Sequence, residues 1–216
     1  MKITCFIILF IITTVSAYCR ETPPEEFALN HFRDENIHAN VWHYSWITVY
    51  GGSGMYYGYM ASESSKYRVT NSVIAAKSIL GSAALIFNPS PGLNASVKIE
   101  NAINSDSETD VYSMCRNLLN SSSKYAIKMN SIKQRTMTFM TNLAGSGIIY
   151  LFENDDREKN AIISFAVGMI TSEIQIWTAP SGSVDAYRRF NEVYGNSYNN
   201  WFLNYGVNTV AMGFRF

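Results

Sequence analysis

TMTFMTNLAGSGIIYLFENDDREKNAIISFAVGMITSEIQIW, residues 136–177, decides how this chain folds. Two apolar runs, 136–152 and 161–177, flank a densely charged turn at 153–160. On the second run Ser164, Gly168 and Ser172 recur every four positions. On the first, Thr141 and Gly145 do the same, with Thr138, Asn142 and Ser146 as a neighbouring row. Residues four apart share a helix face. Small ones let two backbones approach closely, a packing mode common between membrane helices. The spacing predicts a tight helical hairpin over 136–177.

Two more apolar runs lie upstream. HANVWHYSWITVYGGSGMYYGYM, residues 38–60, is aromatic and almost uncharged, and Gly51, Gly52 and Gly54 predict either a helix break or a close backbone approach. RVTNSVIAAKSILGSAALIFN, residues 68–88, carries Ser78 and Ser82 and stops at Pro89 and Pro91. Before these runs, Pro23 and Pro24 followed by Glu25 and Glu26 suit a short helix start. Ser90 to Ser107, rich in Pro, Asn and Ser, reads as a loop. A helix is expected from near Ser107, with Val111, Met114, Cys115, Leu118 and Leu119 on one face and a break at Ser121–Ser123. After the hairpin, Ser183 is expected to cap a short helix that Gly195 ends. The tail 201–216 reads as extended. Its alternating Val210, Met212, Phe214 and Phe216 resemble the closing strand of an outer-membrane barrel, but the chain lacks the repeated strands a barrel requires. The expected fold is mainly α: a four- to five-helix bundle with the hairpin 136–177 and a short extended C-terminal segment.

Residues 1–17 read as a secretory signal, with Lys2 ahead of an apolar stretch from Cys5 to Val15 and small residues Val15 and Ala17 before the cleavage point. A polar segment, 18–40, and a single helical domain, 41–216, would follow. Seventeen basic and seventeen acidic residues cancel, which removes the electrostatic case for nucleic-acid binding. Only 16% of residues are charged, against about a quarter in soluble domains. If all four apolar runs crossed a membrane after export, the basic stretch 124–135 would lie outside and the acidic turn 153–160 inside, inverting the positive-inside rule. Either fewer runs cross, or the bundle hides its apolar faces against itself or a membrane surface. An oxidising compartment leaves two readings open for Cys19 and Cys115, one disulfide or two free thiols.

Glu173 and Lys77 are the only Asp, Glu, Lys or Arg residues well inside the apolar runs. An unpaired carboxylate in an apolar interior costs several kcal/mol. The sequence therefore suggests a buried polar cluster of Lys77, Asn142 and Glu173, with Lys77 meeting Glu173. The alternative is a solvated Glu173 near a helix end.

The block SEIQIWTAPSGSVDAYRRF, residues 172–190, resembles an uncharacterised family of small exported bacterial proteins, through Glu173, Gln175, Ile176, Thr178, Pro180, Gly182, Asp185, Ala186, Tyr187, Arg188 and Arg189. AAKSILG at 75–81, the aromatic run around Trp42 and Trp46, and Asn142 with GIIY at 147–150 look similar too. The resemblance implies a helical envelope protein and no particular reaction.

GGSG at 51–54 is neither a nucleophile elbow nor a phosphate loop, and HExxH and CxxC are missing from the sequence. No catalytic residue, metal site or cofactor is expected. The function expected is that of an exported, periplasmic or membrane-associated envelope protein with a structural or binding role, whose partner is membrane lipid or another envelope protein. The alternative is a soluble periplasmic module that holds an apolar ligand in an aromatic groove from Trp42 to Tyr59. An enzyme built around Glu173 ranks third.

Overall fold

A computed structural model describes residues 22–63, 65–105 and 110–195, together with the backbone of two terminal strands. Among these residues there are seven helices, α1 (Pro24–Glu63), α2 (Arg68–Phe87), α3 (Ala95–Asn104), α4 (Val111–Met129), α5 (Ile132–Phe152), α6 (Arg157–Trp177) and α7 (Gly182–Tyr194). The fold is mainly α, with more helices than the four or five expected. The C-terminal segment is a two-stranded antiparallel hairpin rather than one strand: β1 (Trp201–Gly206) pairs with β2 (Thr209–Phe214), Trp201 opposite Phe214.

The 40-residue α1 organises the molecule. It starts at Pro24, whose fixed φ and missing N–H suit a first helical position, and runs without a break past residues 40 and 41. The glycines at 51, 52 and 54 do not interrupt it. Of the three, Gly54 supplies a close approach: a Cβ there would lie 2.9 Å from Ile79 Cγ1, and one on Gly81 of α2 would lie 3.2 Å from the Tyr50 ring. The second half of α1 thus packs closely against α2.

The first half of α1 joins α3, α4 and α7 around a dry core. Ala28, Phe32, Ile99, Cys115, Leu119 and Phe190 are almost wholly buried there. Phe190 stacks against Tyr112 and Tyr194 at 5.5 and 5.0 Å between ring centres. Cys115 has a free thiol in this core, pushed up to about 11 by burial and by the charge of Glu25. Cys19, its suggested disulfide partner, lies outside the described residues, as do residues 1–17. Helix α3 occupies what reads as loop. Ala95, Ser96 and Ile99 are buried by packing, and Asn94 takes the left-handed turn before them, φ 57°. Ala95, Lys98, Glu100 and Ala102 favour a helix here, and the Pro, Asn and Ser residues before and after them conceal it in the sequence. Helix α4 begins at Val111, where the Asp110 carboxylate accepts from Ser113 N at 3.1 Å; Ser107, near which it was expected to start, lies outside the described residues. It continues through Ser121–Ser123, since Ser122 and Ser123 face inward and substitute for bulk.

The second half of α1, α2, α5 and α6 form the other end of the molecule. Helices α5 and α6 make an antiparallel hairpin, and α2 lies against both. At the far tip Glu153, buried in the turn, accepts from Thr70 N at 2.8 Å and so ties the hairpin to the start of α2.

Candidate functional site

Three of the apolar helices, α2, α5 and α6, bury mostly small or polar residues. Their buried positions are Asn71, Ala75, Ser78, Ser82 and Leu85 on α2, Asn142, Gly145, Ser146 and Ile149 on α5, and Ala161, Ser164 and Ile176 on α6. Their large apolar side chains point outward, including Ile79, Leu80, Phe87, Leu143, Leu151, Ile162, Val167 and Ile170. On α5 the row through Thr138, Asn142 and Ser146 faces the partner helices, and so does Gly145 of the other row. Thr141 faces out and bonds back to the Met137 carbonyl at 2.9 Å.

At mid-height Lys77 Nζ donates to Asn142 Oδ1 at 3.2 Å and to Ser164 Oγ at 3.3 Å. Room for this arrangement comes from two glycines. A Cβ on Gly145 would lie 3.0 Å from Lys77 Cδ, and one on Gly168 would fall on the Asn142 amide, 2.7 Å from Cγ. The structure brings Lys77 and Asn142 together but not Lys77 and Glu173. Glu173 lies nine residues beyond Ser164, about 13.5 Å along the helix, and pairs with Arg135. Both side chains are partly exposed there, at 37% for Arg135 and 30% for Glu173. The Lys77–Glu173 pairing is therefore corrected: the acid sits near a helix end with its own cation.

The residues of the 172–190 block dock the α6–α7 corner onto α1. Trp42 Nε1 donates to the Gln175 carbonyl at 3.1 Å, and Tyr50 O–H to Gln175 Oε1 at 2.9 Å. His38 Nε2 donates to the Thr178 carbonyl at 3.0 Å. Pro180 is partly buried in the corner itself. A Cβ on Gly182 would meet Glu35 Oε1 at 3.0 Å. Asp185 and Arg188 form an exposed pair at 2.8 Å. The aromatic residues from 42 to 59 do not share one groove. Trp42 packs inward with Leu85 and Ala179, while Tyr44, Tyr56 and Tyr59 face outward.

Next along α1, Ser183 Oγ donates to Glu35 Oε2 at 2.6 Å, and His31 Nε2 lies 3.2 Å from Ser183 Oγ and 3.0 Å from Glu35 Oε2. Sequence reasoning missed this cluster, because its members are 148 and 152 residues apart. It is not a nucleophilic triad, which needs the two ring nitrogens to serve the serine and the carboxylate separately; here one nitrogen touches both. Instead the Glu35 carboxylate satisfies the start of α7. Ser183, expected as the cap residue, sits inside the first turn, and Ser181 holds the cap position. Burial raises the Glu35 pKa, but hydrogen bonds from His31 and Ser183, the His31 charge and the Gly182 N–H outweigh it, and the net direction is below the ordinary 4.5. A depressed carboxylate contributes stability above its unfolded pKa and loses it as pH falls through the folded value. The α1–α7 contact is thus expected to loosen below pH 4.5, and Glu35→Gln to flatten that acid limb. Amide hydrogen exchange of α7 as a function of pH reads both.

Among the described residues no group of three or more His, Cys, Asp or Glu could hold a metal. The site and fold define a helical protein with an inverted apolar half and a conventional core at its other end. Comparison with family models, curated proteins and solved structures finds no match to this chain.

Proposed function

We propose that this chain is a membrane-associated envelope protein with a structural or binding role. In this reading the second half of α1, α2, α5 and α6 contact lipid, and α3, α4, α7 and the first half of α1 form a head outside the bilayer. One observation carries it. Two stretches, Arg68–Phe87 and Arg157–Tyr194, are long and apolar enough to cross a membrane, yet only 22% and 17% of their apolar windows is buried inside the protein. A soluble core helix buries its apolar face. Beside Ala75, Leu85, Ala161 and Ile176 these helices bury asparagine and serine, and they leave most of their isoleucine, leucine and phenylalanine outside, a distribution that lipid tolerates and water does not. Charges gather at the two ends, with Glu153, Asp155, Asp156, Arg157, Lys66 and Arg68 at the tip and Arg135 with Glu173 at the level of the head. Export rests on residues 1–17, and the N-terminal residue of the mature protein tests it.

Fractionation tests the membrane reading. The protein is expected to stay in the membrane pellet through an alkaline carbonate wash and to leave it in detergent. Release into the carbonate supernatant would contradict this reading.

A further inference from the structure

Halfway along the apolar helices lies a layer of hydrogen-bond donors with spare capacity. Lys77 Nζ spends two of its three N–H donors, on Asn142 and Ser164. Ser164 Oγ accepts from Lys77, and among the described residues its own proton has no acceptor. Ser146 is 8% exposed, and among the described residues its hydroxyl has no partner. Thr70 Oγ1 near the start of α2 is likewise buried without a partner among the described residues, but four other hydroxyls of this half are satisfied locally. Thr48, Thr141, Ser172 and Thr178 each donate to the carbonyl four residues back. The Gly168–Asn142 and Arg135–Glu173 contacts set the antiparallel register. Ser146, one turn beyond Asn142, therefore stands level with Ser164, one turn before Gly168. Glu173, the acid within these runs, is occupied by Arg135, so Lys77 has only neutral partners.

An ammonium among neutral groups in a low-dielectric interior attracts an anion. We propose that the Lys77, Ser146 and Ser164 layer binds one small monovalent anion, a halide or a short carboxylate. One cation sets the charge. The space is small, because the gaps left by Gly145 and Gly168 are already filled by the Lys77 stem and the Asn142 amide. The unspent donors supply the coordination, as hydrogen bonds to a charged acceptor are stronger than neutral ones.

The test uses the full chain in zwitterionic micelles, with lysine Cε labelled for NMR and the Lys77 resonance identified by its loss in Lys77→Met. Chloride and then acetate are titrated against gluconate at constant ionic strength. The expected result is a saturable shift of the Lys77 signal with chloride or acetate, and binding about tenfold weaker in Ser146→Ala and in Ser164→Ala. An identical response to gluconate, no response, or unchanged binding in both folded serine variants would overturn the proposal and leave the layer to water or to an acidic side chain of another protein. The wild-type titration decides alone if a variant fails to fold. The inference uses the inside-out bundle, but whether the protein needs detergent is read separately at purification, so failure of the membrane reading is distinguishable from failure of this one.

Discussion

Phe190→Ala is expected to remove about 3–5 kcal/mol of stability, the range for emptying a wholly buried aromatic site. Phe190 is fully buried and touches Phe27, Tyr112 and Tyr194. It sits where α7 meets α1 and α4, so its loss opens a cavity that three helices would have to close. The informative control is Phe87→Ala at the end of α2, where the ring is 81% exposed. That change is expected to cost less than about 0.5 kcal/mol, as exposed substitutions generally do. Urea unfolding in detergent, followed by near-ultraviolet circular dichroism, compares the two. Equal effects would mean that the head has no conventional core or that Phe87 is covered.

Gly168→Leu is expected to cost about 3 kcal/mol, the upper part of the range for overpacking. Even a Cβ at this position collides with the Asn142 amide, which cannot simply swing away. Its Nδ2 donates to the Thr138 carbonyl at 3.1 Å and its Oδ1 accepts from Lys77. The leucine therefore pushes α5 and α6 apart at the level of the polar layer. Asn142→Ala in the same chain is expected to recover part of the loss, giving a coupling of about 1 kcal/mol or more between neighbouring sites. Thermal unfolding in detergent of the two single variants and the double variant measures it. Strict additivity would mean that the helices do not meet at these residues.

How much of this was legible in the sequence depends on the range of the interactions. The hairpin was legible because small residues four apart and a charged turn are local signals, and Pro89 marks the end of α2 just as locally. Lys77 and Asn142 were recognisable as interior polar groups, since each interrupts an apolar run. Which groups meet was harder, because pairing depends on helix register. The register that aligns Glu173 with Arg135 is set by the Asn142 amide against the bare backbone of Gly168, a contact between helices rather than a pattern in either one. Helix α3 was hidden, because the Pro, Asn and Ser residues around it read as loop, although Ala95, Lys98, Glu100 and Ala102 are good helix formers. The His31, Glu35 and Ser183 cluster was invisible, as only the fold of α7 onto α1 brings Ser183 within reach. Gly54 shows how one signal carries two meanings, a break in water or a close approach against a partner helix, and Ile79 of α2 decides between them.

The central claim is that the apolar helices turn their bulky side chains toward lipid and their small polar ones toward each other. Nitroxide labels placed singly at Ile163, Val167 and Ile170, which are 48%, 56% and 61% exposed, test it most directly in reconstituted vesicles. The account predicts strong relaxation by molecular oxygen and almost none by a water-soluble nickel chelate at all three positions, with a label at Ser164 shielded from both. Ready access of the nickel chelate to Ile163, Val167 and Ile170 would contradict it.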